Sequence, residues 1–522
     1  MSRALNRRTF LAASTGAAAT AVAVRSAAAS PTAPLPAFTV RAAAVADPAE
    51  ATAAEALTLL RSGRLSATDL VEAHLERIER FDGIYQAFNT VTADAARAAA
   101  RQVDARGDVN RTLSGVPLAI KDNYFTAGIP TTANSTIFAD FVPDTDSTAV
   151  RRLTAAGGIV LGKTQMGPLA TTRATRPNGE ITTVNAWTPE DPSVDPGGSS
   201  SGSATAVAAR LAASSVGTQT GGSITNPSMQ QNLTGFKPTM GRTSIAGIIP
   251  LTFTRDHSGP LARDVLDAAL MTQVLAGPDS ADPRTLGLPE VPDLVTAATP
   301  VRTSRGVELR RPTRIGVPAD WFSDVSGEVA ALRQGFLDRM AAVPGVTFVD
   351  VSYPADWELL TGVFNAVRLP ERTEPFRHWL REDLTVFGVS ALSWLQGLML
   401  SGDEWITGQR AKTWLLQELY AGLFEQCDVV LQASPVPFDI LGLPEIAFPI
   451  GEAPSSDGGP LAPAGTILGG QPYEEDRLME VVAAHQAITD FHTRRPADPA
   501  EPRLLSASAP RLDAVEVAAA TQ

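Results

Sequence analysis

Ser214-Ser215-Val216-Gly217-Thr218-Gln219-Thr220-Gly221-Gly222-Ser223-Ile224 is the stretch from which the rest of the chain is read. The run from Ser214 to Thr218 predicts a short buried strand. It leads into Gly221 and Gly222, where the backbone is free to turn and point its N–H groups inward. A serine follows immediately. A serine hydroxyl is a weak nucleophile and needs a nearby base, and the oxyanion it generates needs preorganised donors.

Working outward, Pro196-Gly197-Gly198-Ser199-Ser200-Ser201-Gly202-Ser203-Ala204 forms a second loop of glycine and serine. The small residues from Gly202 to Ala212 suit a tightly packed helix. Further upstream lies Gly115-Val116-Pro117-Leu118-Ala119-Ile120-Lys121-Asp122-Asn123, an apolar run that reads as a buried strand ending at Lys121. Gly158 to Leu161 reads as another strand, after a helix from Ala149 to Ala156. Ser66 opens a capped helix in which Leu70, Val71, His74, Leu75 and Ile78 recur at helical spacing through about Arg80. Val429 to Leu431 and Glu445 to Ile450 read as late core strands, and Leu478 to Phe491 as a closing helix. Alternating strands and helices imply an α/β fold whose sheet is covered on both faces. Residues 280–425 are less regular and are expected to shape a pocket.

No histidine stands in the two serine loops, so a lysine–serine relay is the natural substitute for a histidine base. Of 43 basic residues only Lys121, Lys163, Lys237 and Lys412 are lysines. Arginine serves wherever a plain positive charge suffices, so a retained lysine is a candidate for releasing its proton. Free lysine has a pKa of about 10.4, and a base working near pH 7 needs a drop worth roughly 4 kcal/mol. Burial after Leu118, Ala119 and Ile120 can supply it. Asp122 alternates to the opposite face of a continuing strand and leaves the lysine unpaired. Lys163, Lys237 and Lys412 read as structural.

These segments resemble the amidase signature family, whose pattern runs near Gly-Gly-Ser-Ser-Gly-Gly-Ser and Gly-Thr-Asp-Thr-Gly-Gly-Ser-Ile-Arg. Leu161 to Met166, Gly235 to Thr239, Asp256 to Arg263 and Gly442 to Ile446 follow in family order. The resemblance covers roughly residues 50–497. It implies an amidase-signature fold, one α/β domain with a large mixed β-sheet covered on both faces by helices. It also implies that Ser223 is the nucleophile, Ser199 the bridging serine held in a cis peptide, and Lys121 the base. The backbone amides of Thr220, Gly221, Gly222 and Ser223 match the oxyanion hole. The implied activity is amide hydrolysis through an acyl-enzyme, with no metal or organic cofactor.

Three positions depart from the pattern. Ser201 replaces a glycine, Gln219 replaces aspartate and Thr225 replaces arginine. The last two remove opposite charges, so no single buried charge is stranded. An active enzyme with a neutral Gln219–Thr225 substitute is expected.

Two other readings stand beside this one. Gly198-Ser199-Ser200-Ser201-Gly202 fits a nucleophile elbow centred on Ser200, an α/β-hydrolase-type esterase with His485 or His492 as base. What precedes it, Trp187 to Pro196, is a loop where an elbow needs a strand. A catalytically inert binding protein of the same fold would not need Ser223, Ser199 and Lys121 intact. Gly-rich serine loops also occur as linkers, but here both are flanked by structured runs.

The 522-residue chain is 44% hydrophobic, with a net charge of −13 that argues against a nucleic-acid partner. Its single cysteine, Cys427, excludes an internal disulfide and reads as a small buried apolar residue. The five histidines show no zinc-type spacing. Residues 1–29 read as a twin-arginine signal: Asn6-Arg7-Arg8-Thr9-Phe10-Leu11, a weakly apolar stretch to Val24, and Ala27-Ala28-Ala29 before Ser30. The stretch is too short and too poor in leucine for a permanent membrane span. Residues 30–49 read as a linker, 50–497 as the catalytic domain and 498–522 as a disordered tail. The expected substrate is an amide met outside the cytoplasm: a peptide amide, an acylated amine or a small oligoamide. A third reading, an amidotransferase subunit of the same family, would need a cytoplasmic partner.

Overall fold

The protein is described from a computed structural model that covers residues 46–456, 458–500 and 511–516. The leader and most of the linker assigned from sequence lie outside these residues, as does most of the tail. The strands are β1 (Phe88–Val91), β2 (Pro117–Lys121), β3 (Ile159–Thr164), β4 (Ser214–Gln219), β5 (Thr234–Lys237), β6 (His257–Ala262), β7 (Val301–Thr303), β8 (Gly306–Glu308), β9 (Thr313–Pro318), β10 (Val346–Val351), β11 (Val429–Gln432), β12 (Glu445–Pro454) and β13 (Leu461–Gly470). Eleven of them form one sheet in the order β1-β3-β2-β4-β6-β5-β12-β13-β11-β9-β10, and β7 pairs with β8 in a separate hairpin. The pairings β3–β2, β2–β4, β11–β9 and β9–β10 are parallel and the others antiparallel. The sheet is therefore mixed, as the resemblance implied.

Strand β2 shows why both faces are covered. Successive side chains alternate across a sheet. Leu118 and Ile120 enter one core with Leu57, Val150, Leu153 and Met271. Ala119 enters another with Leu70, Val71, Leu75, Leu161, Ala204 and Val207. Lys121, two residues beyond Ala119, shares the face covered by the helix Ser201–Ala208. That helix is built from small residues because it must lie close. A side chain at Gly202 would meet Ala87 O at 2.4 Å and Gln165 N at 2.7 Å. It stops at Ala208, earlier than its composition suggests, and Arg210 follows in the left-handed region at φ 62°.

The helix Ala67–Tyr85 starts where expected, with Ser66 Oγ accepting from Asp69 N, but it runs beyond Arg80 to Tyr85. The closing helix is Glu475–Ile488. Residues 280–425 are more regular than the sequence indicated. They supply β9 and β10, which extend the sheet beyond β11 in parallel. Edge strand β10 is only partly buried, so its hydrophobic signal is diluted. Phe376, Leu380, Phe387 and Trp394 pack with Ala133, Phe138, Met166, Ile249 and Leu251 in an aromatic cluster. Asp498, the first residue assigned to the tail, is bound by Arg77 and Arg210.

Candidate active site

Strands β2 and β4 are parallel neighbours, with Ile120 opposite Val216, so Lys121 and Thr218 emerge at the same edge of the sheet. Lys121 is fully buried. Its Nζ lies 2.8 Å from Ser199 Oγ, 2.8 Å from Thr218 Oγ1 and 3.3 Å from Thr218 O. Burial holds the amine well below its ordinary pKa, and only Asp256 pulls the other way. Asp122 does not repin it: its carboxylate lies 3.3 Å from Lys163 Nζ on the other face. Burial pushes Lys163 down to about 8, with Asp122 opposing. Lys163 donates to Tyr124 O and Thr131 Oγ1, which makes it a strut for the loop at 131–135.

The contacts suit a neutral lysine that accepts from Ser199. An uncharged amine has two N–H groups and one lone pair. Thr218 O can only accept. Thr218 Oγ1 already accepts from Asn123 Nδ2 at 3.1 Å. Giving the two N–H groups to these oxygens leaves the lone pair facing Ser199, whose hydroxyl donates to it.

Ser199 sits just before the helix Ser201–Ala208, after the cis Gly198–Ser199 bond. Its loop is locked on three sides. A side chain at Gly197 would meet Pro227 Cα at 2.3 Å, one at Gly198 would meet Arg173 Cα at 2.6 Å, and one at Gly217 would meet Ser200 Oγ at 2.7 Å. The serine loop therefore lies against both β4 and the helix Thr225–Gln230 that follows Ser223. Ser201 explains its own presence. Its hydroxyl donates to Gly197 O at 2.6 Å and accepts from Ala174 N at 2.9 Å, which glycine cannot do.

Ser223 is 8% exposed at the end of the turn, and Gly221 beside it is open to solvent. Gly222 has φ 105°, a conformation that needs glycine. Thr220 Oγ1 donates to Asp256 Oδ1 at 2.5 Å, and Asp256 also accepts from Leu251 N and Thr252 N. Thr220, Gly221, Gly222 and Ser223 thus form one pinned turn. Among the described residues, no hydrogen bond joins Ser223 Oγ to Ser199 Oγ.

Gln219 and Thr225 do not face each other as a side-chain pair. Thr225 Oγ1 donates to Gly222 O at 3.3 Å. Gln219 Oε1 accepts from Ile224 N and Thr225 N, while its Nε2 donates to Asp439 and Glu445. The link from Gln219 to these acids was not read from sequence, which gave Lys237 beside them only as structural. Asp439 and Glu445 lie more than two hundred residues beyond Gln219, so no local pattern joins them.

The elbow reading does not fit this geometry. Ser200 is fully buried, its hydroxyl donates to Thr218 O at 3.3 Å, and a loop rather than a strand precedes it. His485 bonds Pro449 O within the distant cluster of Phe336 and Phe448, and burial pushes it down to about 3. Cys427 is buried, and burial pushes its thiol up to about 12. Part of the 280–425 stretch, expected to shape a pocket, lines a groove. This groove of about 630 Å³ opens on the helix Gly402–Ala421, lined by Thr254, Trp405, Ile406, Gln409 and Trp414, and none of the residues named above for the site lines it. Among the described residues, no single helix is long and apolar enough to cross a membrane.

The chain is similar to known proteins. A glutamyl-tRNA(Gln) amidotransferase subunit from Chloroflexus aggregans is 34% identical over 497 residues, covering 85% of this chain and 98% of that protein. Its counterpart from Anaeromyxobacter dehalogenans is 42% identical over 297 residues, 56% of this chain and 57% of that one. Among solved structures, the peptide amidase of Stenotrophomonas maltophilia superimposes with a TM-score of 0.72 at 27% identity, over 87% of this chain and 99% of that chain. The sequence model of the family described as Amidase matches residues 69–438, which span both serine loops and Lys121. This chain belongs to the amidase family, whose members act on carbon–nitrogen amide bonds.

Proposed function

We propose that this protein hydrolyses a carboxylic amide through an acyl-enzyme on Ser223, with Ser199 and Lys121 as the proton relay. The observation that carries this reading is the 2.8 Å contact between Lys121 Nζ and Ser199 Oγ, sealed from solvent. Burial holds the amine well below its ordinary pKa, which favours the uncharged form that can take a proton. Bound substrate turns Ser223 Oγ toward Ser199, because catalytic hydrogen bonds tighten in the Michaelis complex. Ser223 then attacks the carbonyl while its proton passes through Ser199 to Lys121. The amides of the 220–223 turn receive the oxyanion. The relay returns the proton to the leaving amine, and water releases the acid by the same route.

A peptide amide is the favoured substrate, on the strength of the likeness to peptide amidase. The 1–29 segment supports export, and the substrate would then be met outside the cytoplasm. An export assay comparing the native leader with Arg7→Lys/Arg8→Lys tests that part alone: retention of the variant is expected, and equal export of both counts against it.

The direct test is a hydrolysis screen of peptide amides, aryl amides and fatty amides with wild type and Lys121→Ala. Turnover by wild type and none by the variant supports the relay. Equal turnover by both defeats it. The identity to amidotransferase subunits favours a second reading, in which the chain supplies the amidase step of a larger enzyme. Turnover by the isolated chain argues for the first reading, and turnover only with added partner subunits for the second.

A further inference from the structure

Gln219 ends β4, four residues before Ser223, and is fully buried. Its side-chain amide is fully used. The nitrogen donates to Asp439 Oδ1 at 3.0 Å and Oδ2 at 3.2 Å, and to Glu445 Oε2 at 3.0 Å. The oxygen accepts from Ile224 N and Thr225 N, both at 2.8 Å. These are the two backbone amides immediately after the nucleophile. The side chain therefore ties the far end of the nucleophile turn to the strand that begins it.

The acids on the other side decide which residue can do this. Asp439 and Glu445 are fully buried and share Lys237, whose Nζ lies 3.6 and 3.5 Å from them and also donates to Leu443 O. Arg255 is the other cation near both acids, and His257 lies across the strand pair from Gln219. Burial already pushes both carboxyls above their ordinary range, with Lys237 and Arg255 pulling the other way, so a further acid at position 219 would add to a charge that this dry site already holds at a cost. A carboxylate of the same shape would still accept the two backbone amides. Its second oxygen would then face Asp439 and Glu445 at the place where Gln219 supplies N–H donors, an acceptor set against acceptors in a dry space.

We propose that Gln219 is a positioning residue for the oxyanion-binding turn, and that the Asp439–Glu445 pair requires an amide donor at this position. This rests on Ser223 being the nucleophile. It gives the Gln219 departure a role, in which the residue aims the turn through Ile224 and Thr225 and never touches substrate.

The test uses the full chain and a biotinylated alkyl fluorophosphonate. Ser223 Oγ forms the bond to phosphorus, fluoride leaves, and the serine proton passes to the relay. For Gln219→Glu the maximal labelling rate is expected to fall about 100-fold at pH 8, with half-saturation changed less than about threefold. Near pH 5.5 the introduced carboxyl takes up a proton and donates again, so the rate relative to wild type is expected to recover about 10-fold. The swap Gln219→Glu/Glu445→Gln restores the number of acids and is expected to regain about 10-fold at pH 8.

A folded Gln219→Glu protein labelled within threefold of wild type at pH 8 overturns the proposal. So does a deficit that is the same at both pH values and in the swap. If the single variant does not fold, the swap decides: recovered folding and labelling support the proposal, and failure of both overturns it. A wild-type protein not labelled at Ser223 overturns the nucleophile assignment, and this proposal with it.

Discussion

At the scale of single residues, Lys121 is the costly one. Its folded pKa is lowered by burial, so between the folded and the unfolded value the folded protein binds fewer protons than the unfolded chain, and this contribution to stability rises with pH over that range. Lys121→Met is therefore expected to unfold at no lower urea concentration than wild type at pH 7 while losing about 10³-fold or more in kcat/KM. The same shift sets the pH profile. The neutral amine is the active form, so kcat/KM is expected to rise with pH through the depressed pKa and then level off. A profile falling over that range would contradict the role. Ser199 and Ser200 are adjacent in sequence but differ in what they touch. Ser200→Ala removes one long hydrogen bond to a carbonyl and is expected to keep kcat within about threefold of wild type. Ser199→Ala breaks the relay, with an expected loss of about 10³-fold. Kinetics on the two purified variants, side by side, check both.

At the scale of elements, the site depends on how closely one helix approaches the sheet. The helix Ser201–Ala208 carries the serine loop at its start, and Gly202 is the point of closest contact. A methyl group there meets backbone atoms of Ala87 and Gln165 that cannot move aside cheaply. Gly202→Ala is expected to destabilise the protein by roughly 1–3 kcal/mol in urea unfolding and to lower kcat by displacing Ser199. Unchanged kcat in a destabilised protein would separate packing from catalysis. Strands β2 and β4 were legible because each is a short run that ends abruptly, at Lys121 and before Gly221. Strands β9 and β10 were not legible. They lie toward one end of the sheet, where the edge strand β10 is partly exposed and mixes polar residues into its pattern, while β9 is mostly buried but carries Arg314, Gly316 and Pro318.

At the scale of the whole molecule, the ends of the domain are joined to each other. Arg210 reaches Glu50 and Asp498, and Arg77 reaches Asp498. Against the effect of partial burial, the arginine contacts hold the Asp498 carboxyl below its ordinary pKa. The stabilisation is present above the unfolded pKa and is lost as pH falls through the folded one. Because Asp498 is 38% exposed, Asp498→Asn is expected to cost only about 1 kcal/mol at pH 7, and less as the pH is lowered below about 4. Urea unfolding at the two pH values measures both. The sequence by itself determined the ordered motifs and the α/β class, and the resemblance those motifs carry singled out Lys121, Ser199 and Ser223 as candidates, because each sits in a short segment whose pattern is local. Only the tertiary structure decided that Thr218 and Asn123 complete the surroundings of the lysine, and that Gln219 answers to Asp439 and Glu445. Those partners are 97 residues apart for Lys121 and Thr218 and more than two hundred apart for Gln219 and the two acids, and hydrogen bonds over such separations leave no periodicity in a chain.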